Sequence, residues 1–385
     1  MYNSAKRVCA MYKGYFDEYF KELKDSRYQN FVKHKLTDVL IIVMCGIFCG
    51  LDELQDIATY GKSNIGFFRE KFTIEKAPSK STLTRVMNMV DGEQIAAIII
   101  NIMRETLGTQ GEVLAFDGKT ICATAKGNRE KLHIITAYLT QSGVVLGQQT
   151  VNEKTNEIPI IQDMLKYIDI KGRVVTADAM HCQKDTAALI HEGGGDYILG
   201  LKSNQATFHD EVALYLDDCI LSKEIEIETA KTLEKNGGRI ETRICYKSPS
   251  LDWYEDHSDW AGLTCAFAID RIFETPTGTS RERSYYISSL NSPASELLRL
   301  TREHWKIEAM HHQLDVTFSE DDCRILSSNG QKTFNIFRKM ALAFHKYFIA
   351  SLPTKTKPST RNSMFQALLS VEALSKIINI PFINR

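Results

Sequence analysis

Apolar positions along the chain change their spacing near residue 110. Before that point the pattern is helical. Residues 36–49 (LTDVLIIVMCGIFC) are apolar on almost every side, which predicts a helix buried all round. Shorter helices are expected at 52–60 and 65–71, and Pro78 with Ser79 before an amphipathic stretch marks another helix start. Beyond 110 come short apolar runs separated by turn residues. Those at 113–116, 133–140, 143–151, 174–177 and 197–201 read as strands. Helices are expected at 156–167, with Pro159 tolerated in the first turn, and at 183–192, stopped by Gly193–Gly195. Gln141-Ser142-Gly143 is a hairpin turn.

Three antiparallel strands, a helix, a strand, a helix and a strand is the order of a ribonuclease H-like domain. It would bring Asp117 and Asp178 together at one sheet edge. Residues 206–282 interrupt the order with strands expected at 224–228, 239–246 and 262–273 and a turn at 236–238, a mostly β insertion. A strand at 284–290 returns to the core. Ser292 and Pro293 then open a long helix, a capping serine with proline at the first helical position. Helices at 329–352 and 365–378 complete the chain. The expected fold class is α/β: a ribonuclease H-like mixed sheet with a mostly β insertion, preceded by an all-α N-terminal domain. The divisions are 1–105 helical, 106–205 with 283–385 catalytic, and 206–282 insertion.

Composition narrows the class. There is no charge-free apolar run of about 18 residues, so no membrane span is expected. The N-terminal stretch lacks a secretory h-region. Nine Cys without a Cys-x-x-Cys suit a reducing cytoplasm, and Cys45 and Cys49 read as core. A net charge of −1 argues mildly against nucleic acid as partner, but the charge is segregated. Lys6, Arg7, Lys13, Lys21, Lys24, Arg27, Lys33 and Lys35 crowd the start. Lys332, Arg338, Lys339, Lys346, Lys355, Lys357 and Arg361 make the C-terminal region basic. Each run also reads as a plain solvated face.

Two apolar strands end in acids, Asp117 in VLAFDGKT and Asp178 in RVVTADAM. Burying a carboxylate there is costly unless something offsets its desolvation, and a metal ion is the usual answer. With Glu308 on the long helix they would form a two-metal site for phosphoryl transfer. The plainer alternative is three acids at turns and caps. His304, Glu308, His311 and His312 fall on neighbouring helix positions. The Glu-x-x-His spacing of di-iron bundles needs a four-helix core that this pattern lacks, and a zinc set is missing. His311 and His312 read equally well as partners of Glu308 or Asp315. Lys80, Ser81, Thr82 and Arg85, at the start of their helix, suit a helix-turn-helix reader facing DNA, or an ordinary capped helix. Lys202-Ser203-Asn204-Gln205 is a polar loop that could reach a phosphate or base. Glu320-Asp321-Asp322 reads as a solvated helix end.

The succession AFDGKT, LHIITAYLTQSGVVLGQQTVNEKTNEIP, VVTADAMHCQ, GGGDYILGLKSNQ, GGRIETR, YYISSL and REHWKIEAMHHQLDVTFSEDDCR resembles the H-repeat-associated DDE transposases of bacterial insertion sequences. The earlier RYQNFVKHKLTDVL, CGIFCG and PSKSTLTRVM resemble the helical domain associated with them. The resemblance implies Asp117, Asp178 and Glu308 as the metal-binding triad, with Mg²⁺ as cofactor and Mn²⁺ able to substitute. It further implies double-stranded DNA as partner, both terminal inverted repeats and target, a homodimer on DNA, and a cytoplasmic, nucleoid-associated bacterial protein. Related transposases often carry Tyr, Arg and Lys around this Glu, where the chain has Thr301, His304 and Asp315. Lys119, Lys202, Asn204 and Trp305 are therefore the expected DNA contacts near the site. A nuclease without strand transfer and a catalytically retired DNA-binding derivative are the alternatives.

Overall fold

The computed structural model describes residues 15–121, 132–151, 157–222, 225–236 and 238–383. Lys6, Arg7 and Lys13 of the basic N-terminal run, and Glu224 and Gly237 of the expected strand and turn, lie outside them. Helices α1 (Leu36–Phe48), α2 (Leu54–Ser63), α3 (Ile65–Phe72), α4 (Lys80–Met89) and α5 (Gly92–Leu107) form the N-terminal layer. As its composition requires, α1 is buried at all but two of its positions. Ser79 caps α4 by accepting the Thr82 amide, and Asp91 caps α5 by accepting from Glu93 and Gln94.

Strands β1 (Val113–Ile121), β2 (Leu132–Leu139) and β3 (Val145–Val151) form an antiparallel set. Helix α6 (Glu157–Tyr167), β4 (Val174–Ala177), α7 (Lys184–Glu192) and β5 (Asp196–Leu201) follow, with β4 parallel to both β1 and β5. This is the ribonuclease H-like order. One detail differs from expectation: β1 does not end at Asp117. It runs on to Ile121 because β2 continues to pair with it, Asp117 opposite Thr136 and Ile121 opposite Leu132. On its other side, pairing stops at Phe116 opposite Ala177.

Residues 206–282 add a helix that the strand reading passes over, α8 (Ala206–Ser222), which buries only the narrow stripe Phe208, Val212, Leu216 and Cys219. Four strands follow, β6 (Glu228–Asn236), β7 (Arg239–Lys247), β8 (Cys265–Thr275) and β9 (Gly278–Ser288). The first lies after the expected 224–228. The last begins six residues before the expected 284, because its polar first half projects beyond the core and carries no apolar alternation. All nine strands make one sheet, in the order β3-β2-β1-β4-β5-β9-β8-β7-β6. The added strands thus continue the sheet, and the two acids stand side by side on its third and fourth strands, just past the last β1–β4 pair.

Helix α9 (Ala294–Phe318) crosses the sheet and contacts β1, β4, β6 and β7. Pro293 is its N-cap, not its first residue, and Ser292 does not cap it; the Ala294 amide donates to Glu228 of β6 instead. Helix α10 (Ser328–Ser351) packs on α1 and α5. The single helix expected at 365–378 is two, α11 (Thr360–Leu369) and α12 (Val371–Ile383), broken at Ser370. The basic C-terminal run is not one solvated face: Arg338 and Lys339 are buried in α10. No single helix among the described residues is long and apolar enough to cross a membrane.

Candidate active site

Strand alternation assigns each side chain to a face of the sheet. Val113, Val174 and Ile198 pack with Leu297, Leu298 and Leu300 of α9. Counting on in twos, Asp117 and Lys119 of β1, Thr176 and then Asp178 after β4, and Lys202 after β5 share that face. Phe116 pairs with Ala177, so Asp117 and Asp178 occupy the next level of two parallel strands, spaced about 4.8 Å apart. Glu308 comes from α9 above them. Burial pushes its carboxyl up, as do Asp117 and Asp178, while His304 and Arg271 pull it down.

Each aspartate meets a histidine of the same helix. His311 Nδ1 lies 3.1 Å from Asp117 and His304 Nε2 lies 3.6 Å from Asp178. The other nitrogen of His304 is 3.0 Å from Thr176 Oγ1, so Thr176 orients the ring toward the acid. The His304 contact holds the Asp178 carboxyl below the usual carboxylate range, against its burial. Thus His311 partners Asp117 rather than the expected Glu308 or Asp315, and His312 is exposed. A helix spacing alone cannot reveal this, because the partners come from the sheet.

The opposite face of β1 explains a glycine. A Cβ on Gly118 would stand 2.6 Å from His133 Nε2 and 2.9 Å from Glu157 Oε2. His133 lies 3.0 Å from Glu157, and His181, three residues after Asp178, lies 3.6 Å from it. These two imidazoles hold the Glu157 carboxyl down to about 2 and tie α6 to the loop that bears Asp178.

Farther along α9 stands a second acidic cluster. Lys119 pairs with Asp315 and, at 3.0 Å, with Glu320. Glu320 is 0% exposed and so departs from the solvated helix end expected for the acidic run, whereas Asp322 is exposed. Asn335 donates to Glu320, and Lys339 beside it donates to Thr136 and Gln148. Burial raises the cost of charge on Glu320, but Lys119, Arg338 and Lys339 outweigh it and keep the carboxyl below its ordinary range. Lys119 is therefore engaged beneath the sheet surface, its side chain only 13% exposed.

The other expected DNA contacts are differently placed. Lys80, Ser81 and Arg85 are exposed on α4, and Arg85 lines a cavity with Tyr28, Phe31 and Lys33. Lys202 and Trp305 line a cleft of about 440 Å³ together with Asp178, His304, Glu308 and Arg271. Asn204 donates to the Ala179 carbonyl and so braces the turn after Asp178. The sequence reading misses Thr176 and Arg271. The signal for Arg271 is a charged residue between Ile269 and Phe273, at an inward position of an alternating strand.

Among the described residues no three His, Cys, Asp or Glu side chains are arranged to hold a metal ion, and Asp117 and Asp178 face His311 and His304. The donor set nonetheless fits a hard divalent cation in kind. Three carboxylates share one face, oxygen donors suit Mg²⁺ or Mn²⁺, and Glu308 is raised by burial first, with Asp117 and Asp178 adding to it.

The family described as transposase DDE domain matches residues 108–344, and the one described as DDE_Tnp_1-associated matches residues 18–103. YncI of Escherichia coli O157:H7, provisionally named a transposase, is 34% identical over 334 residues, 84% of this chain and 85% of its own. The H repeat-associated YhhI of Escherichia coli K12, likewise provisionally named, is 31% identical over 366 residues, 91% of this chain and 96% of its own. A piggyBac transposase synaptic complex with hairpin DNA has 10% identity and a TM-score of 0.45, covering 97% of this chain and 79% of that one, too loose a likeness to argue from. With the first match spanning more than half of its residues and relatives aligned over most of its length, this chain belongs to the DDE-domain transposase family, in the company of the H repeat-associated proteins.

Proposed function

We propose that the chain is an active transposase that cuts DNA at the ends of its own element and joins the freed 3'-hydroxyls to target DNA, using Mg²⁺. The observation that carries this reading is the adjacency of Asp117 and Asp178 on two parallel strands under Glu308, in a chain of this family. Asp117, Asp178 and Glu308 would hold the divalent ions. When bound, these supply activation of the attacking oxygen and stabilisation of the leaving one, with no covalent enzyme intermediate. The chain's own residues do the rest. Thr176 holds the His304 ring, His304 holds Asp178, and His311 holds Asp117, so each acid keeps a histidine partner that a bound ion would have to displace. Lys202, in the cleft, offers a cation to the backbone of the bound strand, and Trp305 an apolar platform.

Residues 1–105 would act as the helical DNA-binding and associated domain, 106–205 and 283–385 as the catalytic domain, and 206–282 as the added strands. Lys80, Ser81 and Arg85 on the exposed start of α4 would contact the terminal inverted repeats. Phosphate contacts of this kind make binding fall with salt. Two ends must be cut and joined, so a homodimer on DNA in the bacterial nucleoid is the expected working form. A second reading, a retired transposase kept for DNA binding, is favoured by one observation, the turning of both aspartates onto histidines.

The test is Mg²⁺-dependent cleavage and joining of DNA carrying the element's ends, by wild type and by Asp178→Ala. Joined product from the wild type alone supports the proposal. Cleavage without joining points to a nuclease, and end binding without chemistry in either protein supports the retired form.

A further inference from the structure

We propose that Arg271, brought in by β8, grips a phosphate of the DNA strand lying on the acids, with Trp305 as the plate that holds its guanidinium flat. The proposal rests on the reading of the chain as a DNA-cutting transposase and adds a residue to it.

Alternation on β8 puts Ile269, Arg271 and Phe273 on the α9 side of the sheet. Ile269 belongs to the apolar cluster with Leu297 and Leu298, and Arg271 stands where that cluster opens into the cleft. Its Cζ is 4.4 Å from the Trp305 ring centroid and 5.1 Å from that of Phe273. Stacking on rings occupies the faces of a guanidinium and leaves its N–H edge to donate in the plane.

That edge is poorly used by the protein. The nearest carboxylates are Glu241 at 3.5 Å and Glu282 at 4.0 Å, and Glu241 is already held at 2.6 Å by Arg243. The buried Nε of Arg271 has no hydrogen-bond partner. Arg271 lines the same cleft as Asp178, Lys202 and Glu308, and its charge acts on Glu308. Helix α9 offers no cation of its own there. Its positions 301, 304, 308 and 311 are Thr, His, Glu and His, while Arg302 and Lys306 are paired with Glu234 and Glu303. A planar fork whose terminal nitrogens are held only by the distant Glu241 and Glu282, in the cleft with Asp178 and Glu308, matches a phosphate bridging from the cut position, since the fork can bind two phosphate oxygens at once.

The test is a chemical double-mutant cycle on the full chain. Duplexes carrying one end of the element, each with one phosphate replaced by a neutral methylphosphonate, are bound to wild type and to Arg271→Ala in Ca²⁺, and anisotropy is followed over a salt series. One substituted position near the cut is expected to weaken the wild type about tenfold and leave the variant unchanged, and the variant's log K against log salt slope should be shallower by about 0.9. Identical profiles and slopes in both proteins overturn the proposal and leave Arg271 as a prop for Trp305. Thermal melting checks the variant's fold. Should Arg271→Ala not fold, Arg271→Lys enters the same cycle: it keeps the charge and slope, but must lose most of the coupling to that one phosphate, and retained coupling equal to wild type overturns the role of the fork. Failure of the transposase reading looks different: the wild type then binds element ends no better than random DNA, or binds them without cutting in Mg²⁺.

Discussion

Helix α9 carries two acidic clusters, and they are solved in opposite ways. Asp315, with Glu320 just past the helix end, meets Lys119; Glu320 also lies beside Arg338 and Lys339 and is closed off from water, while Asp315 is partly exposed. Asp117 and Asp178 pair with histidines, and Asp178 and Glu308 line an open cleft that Lys202 and Arg271 share. Burying a charge requires a partner and hydrogen bonds on every side. In the lower cluster Lys119 joins Asp315 to Glu320 and Asn335 donates to Glu320, which ties α9 and α10 to the sheet. The upper cluster is left short of positive charge where a ligand can reach it. The difference separates acids that build from acids that are available to bind, although all five look alike in the sequence.

The contrast is broken first at the upper cluster. Asp178→Asn should cost cleavage at least about a thousandfold, the several kcal/mol that a held metal supplies, with the unfolding midpoint unchanged or higher. A variant that keeps cutting would remove Asp178 from the chemistry. At the lower cluster the effect should fall on folding. Glu320→Ala leaves Lys119 with Asp315 alone and takes the carboxylate away from beside buried Lys339, at a cost of about 3–5 kcal/mol by urea denaturation. A loss near zero would mean that the cluster is not closed. Behind the upper cluster, Gly118→Ala forces a methyl against His133 and Glu157 and should destabilise by about 1–3 kcal/mol. A neutral result by thermal melting would show that this wall yields.

The smallest effect is the sharpest comparison, because its sign reverses between the clusters. The Glu320 carboxyl is held below its ordinary value, so its contribution is present above the unfolded pKa and is lost as pH falls through the folded one. The Glu308 carboxyl is raised, so the folded state binds the extra proton and stability falls as pH rises through that window. In chelator, Glu308→Gln should therefore stabilise at pH 7 by about 0.5–1 kcal/mol, discounted for its exposure, and the gain should vanish in acid. A gain that grew on acidification would contradict a Glu308 carboxyl raised by burial and by its two acidic neighbours.

The alternation of β1 to β5 and the two intervening helices were legible from the sequence because each buries apolar residues at a regular period. So were the Ser79 cap and the acids Asp117 and Asp178. The strands expected at 262–273 and 284–290 caught β8 and the inner half of β9, but not the outer part of their hairpin, whose tip lies in solvent where polar residues carry no pattern. Neither was the burial of Glu320 and Lys339: both are charged residues whose partners lie far off in the chain, and sequence can read only the default that charge faces water.

The sequence by itself determined the family, the order of elements and the residue types available for chemistry, because motif order and hydrophobic period are local properties of the chain. Tertiary structure alone decided which acids were neutralised and which were left open, that His304 and His311 turn to the aspartates, and that Arg271 arrives beside Glu308 from a strand 37 positions earlier. Electrostatic pairing acts through space over a few ångströms, and only the folded sheet brings those distances about.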